Sequence, residues 1–315
     1  MRSGTLHGLA KMATLQVLNK QTRGLFLKDS ELLAAGWTAT AKDFDKGTVK
    51  FGHTHKFGMK ATNPETGILF ISPKICILIQ SPVLVEDTWN GNVLIGELDN
   101  PQIKELWDAD KEQQQQKLNQ GVPLESAKRQ YCARTKSMLY ILTKDGNIAH
   151  TNPLVLSCKN LNSVELFSKG SGYGKFIEEI SHSQAARDGL PITAVKYNPE
   201  FYQQFVWQPV FDMGERGPNA NEICAIVSQP SPTPETLETF AVNEQVMEFF
   251  EGLMTVPGIL DFHLTHAQKE AKLLGGRYGV APGYLAGSGE AVLLEESVSA
   301  PPALNPGNDA DEFLN

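Results

Sequence analysis

No stretch of this 315-residue chain approaches the roughly 18 consecutive apolar residues that a membrane-spanning helix needs. The best candidate, "ICILIQSPVLV", is interrupted by Gln80, Ser81 and Pro82. The N-terminal "MRSGTLHGLAKMATLQVL" lacks a secretory apolar core and a small-residue cleavage site, so no leader is expected there and Met12 reads as an alternative start. Cysteine is scarce: four residues, Cys76, Cys132, Cys158 and Cys224, no two in C-x-x-C spacing. That argues against a disulfide scaffold and a zinc ribbon, and predicts reduced, mostly buried thiols in a cytoplasmic protein. Catalytic signatures are also missing. There is no G-x-S-x-G, no H-E-x-x-H and no convincing carboxylate pair, so the chain reads as non-catalytic, with no cofactor.

Positive charge is nearly absent from one end. Residues 231–315 hold 3 Lys/Arg against 13 Asp/Glu, a net −10, whereas residues 1–60 hold 10 against 4, a net +6. The overall −8 therefore conceals a basic front and an acidic rear.

Residues 36–98 read as short strands rich in β-branched and aromatic residues: "WTATAKDF", "TVKFGHTHKFGMKA", "GILFIS", "KICILIQS", "PVLVED" and "NVLIGEL". A helical insertion follows near 101–131, with Asn100 as N-cap, Pro101 in the first turn and Gly121 as stop. Strands resume at "SMLYILTK", turn at Asp145-Gly146 and continue through "NIAHTNPLVLSCK". A helical stretch with a glycine-rich break, then "ITAVKYN", "FVWQPVFDMG" and "NEICAIVSQ", lead to two acidic helices. The expected division is a flexible arm (1–12), a β-rich core domain (13–230), a helical region (231–275) and a flexible linker with an acidic tail (276–315). The expected fold class is α+β, a β-barrel or curled antiparallel sheet with helical insertions and a disordered acidic C-terminal tail.

The segment "KGTVKFGHTHKFGMK" interleaves Lys46, Lys50, Lys56 and Lys60 with Phe51 and Phe57. Single-stranded nucleic acid needs that combination, because rings stack on bases and cations follow phosphates. An ordinary strand with core Phe and solvated Lys is the plain alternative. "KYNPEFYQQFVWQPVF" adds Tyr202 and Trp207 as amphipathic stacking candidates. As a strand it places Phe205, Trp207 and Phe211 on one face and Val206 and Val210 on the other. "KGSGYGK" fails both the P-loop and the dinucleotide patterns and reads as a hinge, with Lys169 and Lys175 flanking Tyr173 as phosphate contacts. His53 and His55 share a strand face, and His263 and His266 a helix face. Both spacings suit Zn²⁺, but neither brings a third ligand.

The chain ends "NPGNDADEFLN", after a Gly/Ala/Ser/Pro-rich stretch. Asp309, Asp311 and Glu312 surround Phe313; the charges mimic phosphate and the ring mimics a base, on a tether that keeps them near their own protein. With a strand-rich core and such a tail, the chain resembles the single-stranded-DNA-binding proteins of bacteria, phages and plasmids. Here Phe313 is followed by Leu314 and Asn315, where that family's phenylalanine usually ends the chain. The resemblance implies an oligonucleotide-binding (OB-like) barrel acting in DNA replication or recombination. It also implies single-stranded DNA as ligand and replication or recombination proteins as partners of the tail. Further copies of the chain in a homo-oligomer are also expected, and no membrane. Two rival readings stand beside it: a structural or assembly protein of a phage or large complex, and a metal-dependent nuclease using His53 and His55.

Overall fold

The computed structural model describes residues 12–19, 22–56, 64–167, 170–191, 203–216, 221–264 and 268. They form an α+β protein built on one large mixed sheet. Strands β1 (Ala13–Leu18), β2 (Gly24–Lys28), β3 (Val49–His55), β4 (Glu65–Phe70), β6 (Leu84–Asp87), β7 (Val93–Glu97), β8 (Tyr131–Leu142) and β9 (Leu154–Lys159) run in the order β3-β4-β2-β1-β9-β8-β6-β7. β5 (Lys74–Gln80) also pairs with β8. Within this sheet β1–β9 is the parallel pairing and the others are antiparallel. β3 and β7 stand at opposite ends of the order, and among the described residues no closed barrel forms. A separate ribbon pairs β10 (Val210–Arg216) with β11 (Asn221–Ser228).

Because paired residues project from the same side of a sheet, the register assigns every side chain a face. One face carries Ala13, Leu15, Leu25, Leu27, Ile68, Phe70, Leu139, Ile141, Leu154 and Leu156 into the main core. It is covered by α3 (Asn160–Phe167), α4 (Gly172–Arg187) and the ribbon, through side chains such as Leu166, Phe176, Ile180 and Phe211. On the opposite face, α5 (Glu244–Met254) packs Val246 and Phe250 against Cys76, Met138 and Tyr140. α2 (Pro101–Asn119) begins as expected, with the Asn100 side chain accepting from Gln102 N–H. Its Ile103 fits against Val85, Ile95 and Tyr131 beside the β7 edge. All four cysteines are free and buried.

Two strand expectations need correction. The pattern at residues 37–44 predicts a strand, but Trp37 makes a single bridge to His150 and Ala41–Asp43 form a 3₁₀ turn. Thr40 and Asp43 cap each other's backbone there, and that local bonding outcompetes strand propensity. Residues 205–209 likewise contribute only isolated bridges, Phe205 to Ala241 and Trp207 to Ile75. The first strand pair, β1–β2, and helix α1 (Asp29–Ala35) have no counterpart among the expected elements. The expected helices after residue 230 take the form of a 3₁₀ turn at Leu237–Phe240, α5, and a second 3₁₀ turn at Ile259–Asp261. The arm at 1–11, the strand expected at "ITAVKYN" and the tail lie outside the described residues.

Candidate nucleic-acid interface

β3 is the edge strand at one end of the sheet. Lys50 lies opposite Leu69, His53 opposite Gly67 and His55 opposite Glu65. Between them Phe51 and Gly52 oppose a single residue of β4, a bulge that Gly52 permits at φ 65°. The bulge leaves Phe51 37% exposed, its ring 6.0 Å from Phe44. Lys46, Lys50 and Lys56 are exposed, and no ion pair engages them among the described residues.

Next to Lys50 a cavity of about 250 Å³ opens between β3–β4 and the start of β10. Arg23, Lys50, His53 and Asp212 supply its polar lining; Leu69, Ile71 and Phe211 supply an apolar floor. Arg23 reaches Glu222 at 3.6 Å. Burial, with Lys50 beside it, holds the His53 imidazole below its ordinary pKa, so the ring is neutral at pH 7. Its Nε2 is buried with no hydrogen-bond partner among the described residues.

The register places further cations on the same face, part of which α5 covers at β5 and β8. The face that carries Lys50 also carries Lys28 of β2, Lys159 of β9, and Arg134 and Lys136 of β8. Three carboxylates share that face, among them Glu97 of β7, which lies opposite Leu84 as Arg134 does and 3.6 Å from His263. Glu65 pairs with Lys28 at 2.7 Å, and the buried Glu86 lies between Arg134 (2.5 Å) and Lys159 (2.9 Å). One carboxylate shared by two cations leaves a positive remainder, and Lys136, which donates to His263 O, adds to it. Of these five basic residues only Lys50 stands in a recognisable local pattern, so it is the one the sequence singles out. Polyanions are the ligands such a surface attracts.

Other expected contacts fall elsewhere. Trp207 is fully buried, its Nε1 donating to Gln229 Oε1 at 2.9 Å, and Tyr173 is 6% exposed with its ring 5.5 Å from Trp207. Both rings fill the main core, on the far side of the sheet from the Lys50 side chain. This corrects the expectation that they stack on bases. Phe205, Trp207 and Phe211 do share one buried cluster, while Val206 joins the other. Lys175 rides on α4, also on the core side, and pairs with Glu179 at 3.7 Å. Phe57, Lys60, Lys169, Tyr202, Asp309, Asp311, Glu312 and Phe313 lie outside the described residues.

His53 and His55 do share a face, but both rings pack against Phe26, 6.1 and 6.2 Å away. Among the described residues no group of three or more His, Cys, Asp or Glu is placed to hold a metal. No helix among them is long and apolar enough to cross a membrane.

No curated protein and no solved structure matches this chain. A family model described as "Domain of unknown function (DUF5895)" matches residues 10–249, from just before β1 into α5. With about three quarters of its length inside that match, the chain belongs to the DUF5895 family.

Proposed function

We propose that this protein binds single-stranded DNA without catalysis, as an accessory to replication or recombination. One observation supports the reading above the rest: basic side chains from β2, β3, β8 and β9 converge on one sheet face, which ends at an exposed lysine-bearing edge and a pocket containing Arg23, Lys50 and His53. Lysines on an edge strand also deter edge-to-edge aggregation, which alone explains Lys50 and Lys56. It does not explain cations gathered across the interior strands. The sheet need not close into an OB-like barrel for this role, since the β3 end of this face, beyond the part that α5 covers, offers cations and the exposed Phe51.

The test is a binding titration of the full chain with labelled single-stranded DNA, single-stranded RNA and duplex at two salt concentrations. Single-stranded DNA is expected to bind most tightly. In Lys50→Gln and Lys56→Gln the salt slope is expected to fall by about 0.7 for each phosphate that is no longer neutralised. No binding to any of the three polymers overturns the reading.

The acidic rear fits the same account. A tethered peptide with Asp309, Asp311, Glu312 and Phe313 competes for a basic surface and, once displaced, is free to recruit partner proteins. Deleting residues 305–315 is expected to leave DNA affinity unchanged or to tighten it, measured in the same titration. Abolished binding counts against the competitor role.

A further inference from the structure

The most exposed aromatic ring among the described residues stands outside every motif in the chain. Trp89, in the β6–β7 hairpin loop "TWNGN", is 59% exposed. The loop that presents it is firmly held. The buried Asp87 carboxylate accepts Trp89 N–H (3.0 Å), Asn90 N–H (3.2 Å), Asn90 Nδ2 (2.7 Å) and Gln130 Nε2 (2.9 Å). Thr88 donates to Gln130 O from both its backbone (2.9 Å) and its hydroxyl (2.7 Å). Gly91 and Asn92 take left-handed φ values of 78° and 59° to close the turn. An apolar ring kept in water on a pinned loop has its ordering cost met before any ligand arrives.

The loop also touches the cations. Lys159 Nζ donates to Asn92 Oδ1 at 3.0 Å and pairs with Glu86 at 2.9 Å. An ammonium has three N–H donors, so one has no partner among the described residues. Arg134 sits beside it, sharing Glu86 and donating to Ser157 Oγ at 2.6 Å. Lys159 and Arg134 share the sheet face of Lys50. From β3 to β9 is four strand spacings, roughly 19 Å at about 4.8 Å each.

We propose that the β6–β7 loop is a second single-strand contact, at the opposite end of the strand order from β3. Trp89 stacks on a base, and Lys159 and Arg134 receive the neighbouring phosphates. The inference rests on the single-stranded-DNA reading and deepens it: the ligand is a strand long enough to engage both ends of the sheet at once. A protein partner is the other class that uses an exposed Trp, but the adjoining cations favour a polymer that carries both rings and phosphates.

The experiment compares fluorescein-labelled oligothymidylates of about 4 and about 16 nucleotides, within the range of sites such surfaces occupy, on the full chain and on Trp89→Ala, Trp89→Phe and Lys159→Gln. The expected result is about tenfold weaker binding of the long oligonucleotide to Trp89→Ala. Trp89→Phe retains most of the affinity, Lys159→Gln has a smaller salt slope, and Trp89→Ala keeps the wild-type thermal midpoint. If Trp89→Ala binds the long strand as the wild type does while Lys50→Gln is weakened, the second contact is refuted and the DNA reading survives. If Trp89→Ala changes only the oligomeric state in solution, the ring belongs to a protein interface and the inference is overturned. If the wild type binds neither oligonucleotide, the reading beneath it fails.

Discussion

Acidification from pH 7 to pH 4 is expected to cost this fold roughly 3 kcal/mol through His150 alone, about 1.36 kcal/mol for each unit of its pKa displacement. His150 is 1% exposed and lies between two rings, stacked with Tyr140 at 4.8 Å and with Trp37 at 5.6 Å. Its Nε2 accepts Ile141 N–H at 2.9 Å, which places the ring proton on Nδ1, where it donates to Asn152 O at 2.7 Å. Both nitrogens are therefore satisfied by the neutral ring. Protonation takes away the acceptor that Ile141 uses and puts a charge into an aromatic sandwich. Burial is the main cause that lowers the pKa from 6.5 to about 4, opposed in part by the bond to Asn152.

The sign follows from these values. Above pH 6.5 the imidazole is neutral in both folded and unfolded chains, and its contribution to stability is fully present. Between 6.5 and about 4 the unfolded chain takes up a proton that the folded one refuses, so stability falls as pH falls. Urea denaturation at pH 7 and pH 4.5 measures the loss. His150→Phe keeps the stack but orphans Ile141 N–H, which costs about 1–3 kcal/mol at any pH. Its stability is expected to vary less with pH over this interval than the wild type's. An equal pH dependence in the two proteins shows that His150 is not the titrating group.

Trp207→Ala is expected to destabilise the protein by about 3–5 kcal/mol, a large share of the roughly 5–15 kcal/mol that holds a typical domain together. The indole is fully buried and touches Tyr173. The backbone of Trp207 exchanges two hydrogen bonds with Ile75, each 2.8 Å, and so fastens the chain before β10 to β5. Truncation leaves a cavity in the main core and removes the donor to Gln229. Trp207→Phe, which retains most of the volume and loses the N–H, is expected to cost less. Denaturant midpoints decide the matter. A midpoint unchanged in Trp207→Ala puts the ring outside the core, facing a ligand as the sequence pattern suggests.

The contrast between Trp207 and Trp89 shows where one-dimensional reading stops. "KYNPEFYQQFVWQPVF" draws attention because aromatic density is visible in a string. Density is what a core needs as well, and periodicity correctly groups Phe205, Trp207 and Phe211 without saying which side of that group meets water. Trp89 stands alone in a polar turn, so no pattern marks it, yet it is the ring left in solvent. The helix boundaries around α2 and the turn at Asp145-Gly146 are legible because capping and turn chemistry are local. Strands β1 and β2 escape such reading because β9 and β4, their partners in the sheet, lie far along the chain.

By itself the sequence determined the α+β class, the buried reduced thiols, the helical insertion and the uneven charge along the chain, since each follows from composition or from interactions within a few residues. Tertiary structure alone decided which cations act together. Lys28, Lys50, Arg134, Lys136 and Lys159 share a face because sheet register, set by pairing between distant strands, converts position along each strand into side of the sheet. A slip of one residue in any of those pairings turns that strand's side chains to the opposite face, and no local pattern around a lysine records which register is formed.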